Sequence, residues 1–238
     1  MASLKYVQTK IALSTGGIDS TISATFDSTP VAGNFIVVSV AKYNNTAAAI
    51  TASDNKGNTY ISSVQRQSTG VNSSGRVAIL YANNITSSST FTVTATAASE
   101  VGTRYWCLVI TEYSGLHPSA PEDVTNSGGG DVSAGTAAAS SGAVSPVGNC
   151  LYIGVVSHTD GNITITPTSS GWTQRGEDED GATNNDINSI DIISSGSQTA
   201  TWDIGSGTYS WVAAIATYKS AVSLLPGMDK YIHNMLMR

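Results

Sequence analysis

Hydrophobic and polar residues alternate with a period of two along most of this chain, which is the pattern of half-buried β-strands. In the first half, the alternation and the β-branched residues predict eight strands, near residues 6–13, 21–26, 35–43, 48–52, 59–65, 76–81, 90–96 and 105–113. Residues 35–40 and 106–110 are almost continuously apolar. Strands with this composition are buried on both faces, so we expect these two to be central.

The second half of the chain repeats phrases of the first half in the same order. GNFIVV at residues 33–38 returns as GNCLYI at 148–153, and GTRYW at 102–106 returns as GTYSW at 207–211. The clearest strands of this second copy are predicted near residues 151–157, 163–167, 172–175, 187–193, 199–203 and 211–219. The pattern therefore predicts a tandem duplication of one β-rich unit.

The duplication predicts an all-β fold with two antiparallel β-sandwich lobes, of jelly-roll or immunoglobulin-like type. We place the first repeat at residues 1–117 and the second at 118–221. Residues 117–147 form the joint, where prolines and small residues are typical of a boundary. Because the repeat continues through the joint, its second half should contain the counterparts of the opening strands of the first copy.

After Lys219 the apolar period changes to three and four residues, which predicts a short C-terminal α-helix in residues 222–238. Pro226 suits its first turn. A helix this short is only marginally stable alone in water. Its stripe of apolar residues must therefore dock on its own sandwich or on another subunit. We favour another subunit and predict an assembly interface formed by the apolar residues of the stripe: Leu224, Leu225, Met228, Tyr231, Ile232, Met235 and Leu236.

The composition excludes several classes of function. Charged residues are 12% of the chain, the formal net charge is −6, and there are 11 Lys and Arg in total with no basic run. Nucleic-acid binding needs a cationic stripe that is missing here. No apolar run approaches the roughly 20 residues that span a bilayer, and residues 1–5 lack the apolar segment of a secretion signal. We therefore expect no nucleic-acid partner and no membrane insertion.

Catalytic and metal-binding patterns are also missing from the sequence. There is no G-x-S-x-G, no H-E-x-x-H and no P-loop, and His117, His158 and His233 are widely spread. The acidic run at 177–180 is interpreted as a solvated loop tip, and residues 54–58 as a tight hairpin turn. The sequence predicts a protein that is not an enzyme and has no cofactor or metal.

The two cysteines occupy apolar strand positions. In the alignment of the copies Cys107 matches Val212 and Cys150 matches Phe35, which predicts two buried thiols that act as small hydrophobic residues. A Cys107–Cys150 disulfide is the alternative.

Four aromatic residues offer a possible binding surface. Tyr60, Trp172, Trp202 and Tyr209 could form a carbohydrate platform, since a flat ring stacks on a sugar face. The alternative is ordinary packing of these rings.

Two phrases carry a resemblance to known proteins. Residues 50–60 (ITASDNKGNTY) and 109–116 (VITEYSGL) are similar to the SDxxGNTY and EYSG phrases of a broad group of secreted bacterial and bacteriophage β-sandwich proteins. The resemblance covers roughly residues 7–219 and implies a virion or surface module. It implies no catalytic residues.

Together these observations predict a non-enzymatic structural protein of a virion, such as a bacteriophage capsid decoration protein or a head or tail fibre component. Its expected partners are further copies of the chain and other virion proteins. One alternative is a carbohydrate-binding adhesin module on a phage tail or cell surface, with a surface glycan as ligand. Another is a subunit of an extracellular protein filament.

Overall fold

A computed structural model describes residues 3–17, 20–43, 48–68, 75–97, 104–158, 164–178 and 186–221. Within these residues the regular elements are all β-strands. In chain order they are β1 Lys5–Gly17, β2 Thr21–Thr25, β3 Phe35–Tyr43, β4 Thr51–Asp54, β5 Ile61–Gln67, β6 Gly75–Ala82, β7 Thr92–Thr96, β8 Arg104–Ser114, β9 Glu122–Val144, β10 Asn149–His158, β11 Thr166–Pro167, β12 Thr173–Asp178, β13 Asp186–Ser195 and β14 Gln198–Lys219.

The first lobe, β1 to β8, is a sandwich of two antiparallel sheets. The inner sheet has the order β1-β8-β3-β6-β5, and the outer sheet has the order β2-β7-β4. Alternate side chains of the inner sheet, such as Ile36, Val38 and Leu108, meet Phe91 and Val93 in the first outer core. All eight predicted strands of this copy are present, with shifted ends, and β3 and β8 are central in their sheet.

The second lobe, β9 to β14, repeats this strand order. Residues 122–132 of β9 and 209–219 of β14 join β10, β13 and β12 in an inner sheet. Residues 138–144 of β9 and 198–203 of β14 form an outer sheet with β11. The long strands β9 and β14 thus each serve both layers, with register breaks on β14 between Asp203 and Thr208. The second outer core lies between these two layers.

The two inner sheets pack face to face, so the molecule has four layers. Ser39 of β3 contacts Ser189 of β13 across this interface at 3.2 Å. β1 lies beside β12 and β5 lies beside β9, which places the two lobes about an approximate two-fold axis parallel to the strands. A central core fills the interface with side chains of both lobes, among them Val37, Val109 and Leu151.

The pairing of the central strands corrects the sequence alignment of the repeats by one residue. Phe35 stands opposite Tyr113 in the first lobe, but Leu151 stands opposite Tyr218 in the second. Phe35 and Leu151 both face the central core, whereas Cys150 faces the second outer core. The match of Cys150 with Phe35 is therefore wrong, since a slip of one residue in a strand turns each side chain to the opposite face.

Two further local predictions differ from the structure and one agrees with it. Residues 54–58 do not close a hairpin, because β4 pairs with β7 and β5 pairs with β6, so this turn crosses from the outer to the inner sheet. The prediction that the joint contains counterparts of the opening strands agrees with the structure, since β9 runs through it from Glu122 to Val144 and pairs with β14 as β1 pairs with β8. The acidic run begins inside β12 rather than in a loop. The predicted C-terminal helix and its seven interface residues lie outside the described residues.

Candidate functional site

A buried polar cluster joins the two inner sheets. The Tyr113 hydroxyl of β8 donates a hydrogen bond to Asp191 Oδ2 of β13 at 2.6 Å. Arg175 Nε of β12 donates to the same oxygen at 2.7 Å, and its guanidinium lies 3.9 Å from the ring centre of Tyr6 on β1. Burial and the Asp191 carboxylate raise the pKa of Tyr113 well above its ordinary value. The cluster therefore holds Tyr113 protonated as a donor and ties the lobes together.

An aromatic cluster joins the lobes at a second place. Phe35 and Tyr81 of the first lobe stack with ring centres 5.2 Å apart, and Tyr218 of the second lobe lies 4.9 Å from Phe35. The Tyr218 hydroxyl is 2.8 Å from Ser63 Oγ on β5. Burial raises the pKa of Tyr218 above its ordinary value. The central core thus has polar contacts at its edges and aromatic packing within it.

Each lobe also buries a basic side chain at the end of its central strand. Lys42 of β3 stands opposite Trp106, and its Nζ lies 5.7 Å from the tryptophan ring centre. His158 of β10 stands opposite Trp211 at the equivalent position, and its Nε2 lies 3.4 Å from Asp186 Oδ2. Lys42 and His158 are both fully buried. The equivalent position therefore holds a buried Lys in one lobe and a buried His in the other, with different neighbours.

The signature phrase at residues 54–60 is a structural turn. Asp54 Oδ1 accepts hydrogen bonds from the backbone N–H groups of Lys56 and Asn58, and Oδ2 accepts from Asn58 Nδ2 at 2.8 Å and from the Tyr60 hydroxyl at 3.0 Å. Gly57 has a φ of 77°, which favours glycine. Both carboxylate oxygens are thus engaged by donors of the turn itself.

The second signature phrase contains a fully buried carboxylate, Glu112. It accepts hydrogen bonds from Gln8 Nε2 at 2.7 Å, the Val31 N–H at 2.8 Å and Asn34 Nδ2 at 2.6 Å. These bonds fasten β1 and the segment before β3 to β8. Glu112 and Tyr113 therefore act on opposite faces of β8, one inside the first lobe and one between the lobes.

The structure separates the residues of the predicted carbohydrate platform. Trp202 is fully buried, and its Nε1 donates to Asn188 Oδ1 at 3.1 Å, so its ring is part of the second outer core and the expectation is wrong for this residue. Tyr60 and Trp172 are half-buried and precede β5 and β12, which lie at opposite edges of the inner sheets. Tyr209 lies in β14 opposite Val132.

The prediction for the cysteines is confirmed: both are buried thiols and they do not form a disulfide. Cys107 belongs to the central core and Cys150 to the second outer core, so an inner sheet separates them. Burial, with a contribution from Asp123, raises the pKa of Cys150 to about 11.

Sequence reasoning missed the inter-lobe cluster. The available signal was an acidic residue, Asp191, within the apolar run of β13, together with Arg175 in the neighbouring strand. Across the described ranges, no three His, Cys, Asp or Glu side chains are grouped so as to hold a metal ion. Within the same part of the chain, no helix has the length and hydropathy needed to cross a membrane.

Comparison of the chain with protein-family models, with curated proteins and with solved structures finds no match. The resemblance carried by the two signature phrases therefore stays a prediction.

Proposed function

We propose that this protein is a non-enzymatic structural component of a virion, with a bacteriophage capsid decoration protein or a head or tail fibre component as the leading forms. The observation that carries the proposal is the central core, which joins the two lobes into one four-layered body. Lobes of one chain move relative to each other unless their interface is large and hydrophobic. Here side chains of both inner sheets share one apolar cluster.

The polar contacts between the lobes support the same conclusion. The bond from Tyr113 to Asp191 crosses the interface. So do the contact of the Arg175 guanidinium with the Tyr6 ring and the contact between Ser63 and Tyr218. Buried bonds of this kind are directional, so they favour one relative orientation of the lobes. A body with a fixed shape suits a part that must fit a repeating assembly.

The use of the buried acidic groups supports a role without catalysis. Glu112 binds three donors of its own lobe, and Asp191 binds Tyr113 and Arg175. A general acid or base must be within reach of a substrate proton. Both carboxylates lie inside the fold and serve to hold strands together.

The strand order supports the jelly-roll form of the sandwich over the immunoglobulin-like form. In the first lobe β1 pairs with β8, β2 with β7 and β3 with β6, and the second lobe repeats these pairs. Jelly rolls are the architecture of many capsid and lectin domains. We therefore describe each lobe as a jelly roll in which β5, or β12, joins the inner sheet.

The test is whether the protein co-sediments with virus particles. Particles are purified on a density gradient from a lysate of the source culture and probed with an antibody against the full chain. We expect the protein in the particle fraction, at a fixed ratio to the major capsid protein and resistant to a salt wash. Its presence only in the fractions without particles would overturn the proposal. Binding of the isolated protein to a glycan array would instead favour the adhesin alternative.

A further inference from the structure

An open groove runs along one side of the first lobe, between the inner and outer sheets. It has a volume of about 620 Å³. Lys10 and Ala12 of β1 form one wall, Ser23 and Thr25 of β2 form the other, and Phe91 contributes to the apolar floor. Cavities of about 300–1,000 Å³ are the usual size of ligand sites.

The equivalent place in the second lobe is closed. Lys10 stands opposite Ile110, and Asn126 stands opposite the equivalent Ile215, so Asn126 and Gly128 of β9 take the places of Lys10 and Ala12. Asn126 Nδ2 donates to the Ala143 carbonyl across the gap at 2.9 Å. Gly128 approaches the Ser140 carbonyl so closely that a Cβ would collide with it. The two copies therefore differ in whether this side of the sandwich is open.

The second lobe also shows which chemical group occupies the place that corresponds to the groove. There an amide group of the chain itself, that of Asn126, satisfies a carbonyl on the strand edge. In the first lobe, the walls of the groove are β1 and β2, which in the described structure pair with β8 and β7 on one side each. Every second residue of such an edge strand directs its N–H and C=O groups outward. Amide groups of another chain could pair with these groups.

The charge of the groove favours an uncharged occupant. Lys10 Nζ and Asp27 Oδ1 form an ion pair at 2.8 Å across the rim, so their charges cancel. The side chains are 40% and 74% exposed, and an exposed pair of this kind contributes little to stability. A ligand could therefore displace the ion pair at small cost. The hydroxyls of Ser23 and Thr25 already pair with those of Thr94 and Thr92 across the outer sheet, at 2.8 Å each.

We propose that this groove binds an extended, uncharged peptide segment of a partner protein, which adds as a strand to the edge of β1. Backbone hydrogen bonds to the strand edge supply the affinity in this mode of recognition, and the pockets for alternate side chains supply the selectivity. The site goes beyond the proposed function, because peptide binding can be measured on the isolated protein whether or not the protein belongs to a virion.

The experiment screens a displayed library of random heptapeptides against the immobilised full chain. Enriched peptides are then synthesised and titrated against the wild type and three variants. Thr29→Trp and Ala12→Trp fill the groove from its rim and from its wall. Ala138→Trp is the matched control, because Ala138 is exposed on the outer layer of the second lobe. Thermal melts establish that each variant is folded. Since Thr29 is exposed outside the strands, that variant keeps the test valid if Ala12→Trp does not fold.

We expect enriched peptides that lack charged residues and bind the wild type and Ala138→Trp equally. Thr29→Trp should weaken them at least tenfold, and hydrogen exchange of the β1 amides should slow when peptide is bound. The proposal is overturned if no peptide is enriched, or if filling the groove leaves binding unchanged. It is also overturned if a panel of neutral oligosaccharides binds the groove and the peptides do not.

Discussion

The hydroxyl of Tyr113 in the first lobe donates a hydrogen bond to the carboxylate of Asp191 in the second lobe, with an O–O distance of 2.6 Å. Both residues are almost completely buried, at 1% and 3% exposure. Arg175 binds the same carboxylate oxygen, so the buried negative charge has a cation and a neutral donor as partners. This contact joins the inner sheets of the two lobes.

Replacing Tyr113 by Phe should therefore destabilise the protein by about 1.5–3 kcal/mol, the range for a hydrogen bond to a charged group. Replacing Asp191 by Ala should cost more, about 3–5 kcal/mol, because it leaves Arg175 without its buried partner. Urea unfolding of both single variants and of the double variant measures the coupling. Strictly additive losses would contradict a direct contact between the two residues.

Alkaline pH should destabilise the fold from about pH 10 upward, where tyrosines of an unfolded chain ionise. Burial raises the pKa of Tyr60, Tyr81, Tyr113 and Tyr218 above that value, and raises the pKa of Tyr152 to about 12. The native state then holds protons that the unfolded state releases, so this part of the stability is complete below pH 10 and is lost as the pH rises. Melting temperatures between pH 8 and 11.5 check the prediction, and a flat profile above pH 10 would contradict it.

Gly176 marks a close contact between the lobes. A Cβ at this position would lie 2.6 Å from Cγ2 of Val109 on β8. Gly176→Ala should therefore cost about 1–3 kcal/mol by overpacking. Val109→Ala removes the obstructing methyl groups, so the double variant should lose less than the sum of the two single losses. Denaturant unfolding of the three variants tests this, and simple additivity would place Gly176 away from Val109.

The two thiols should be unreactive toward thiol reagents in the native protein. Cys107 and Cys150 are buried, and burial holds the pKa of Cys150 at about 11, so little reactive thiolate is exposed at pH 8. A chromogenic disulfide reagent should detect almost no thiol before denaturant is added and two thiols afterwards. Rapid reaction of either thiol in the native protein would contradict the burial of that residue.

Removal of residues 222–238 should leave both lobes folded. Ala221 N–H donates to the Gly115 carbonyl, and Ser220 bridges to Leu116, so the described fold is complete at this point. If the apolar stripe of 224–236 is an assembly surface, the truncated protein should keep its melting temperature and lose its oligomeric state. Light scattering after size-exclusion chromatography measures this. An oligomer of unchanged mass would refute the interface, and a large fall in melting temperature would favour docking of the segment on its own sandwich.

The sequence by itself determined the class of fold and its repetition. The apolar runs of β3 and β8 predicted central strands, because a strand covered on both faces has no need of polar alternation. The repeated phrases placed β10 and the end of β14 in the same roles. The other six strands of the first copy were predicted from local alternation and β-branched residues, because the exposed and buried faces of a half-buried strand alternate along its sequence.

Only the tertiary structure decided what each strand faces. Whether Cys150 or Leu151 enters the central core depends on pairing with β14, and a slip of one residue exchanges the two faces. The pairing of Tyr113 with Asp191, the burial of Trp202 and the closure of one groove by Gly128 join residues far apart in the chain. The local sequence pattern indicates how deeply a side chain is buried, but long-range packing decides which groups surround it.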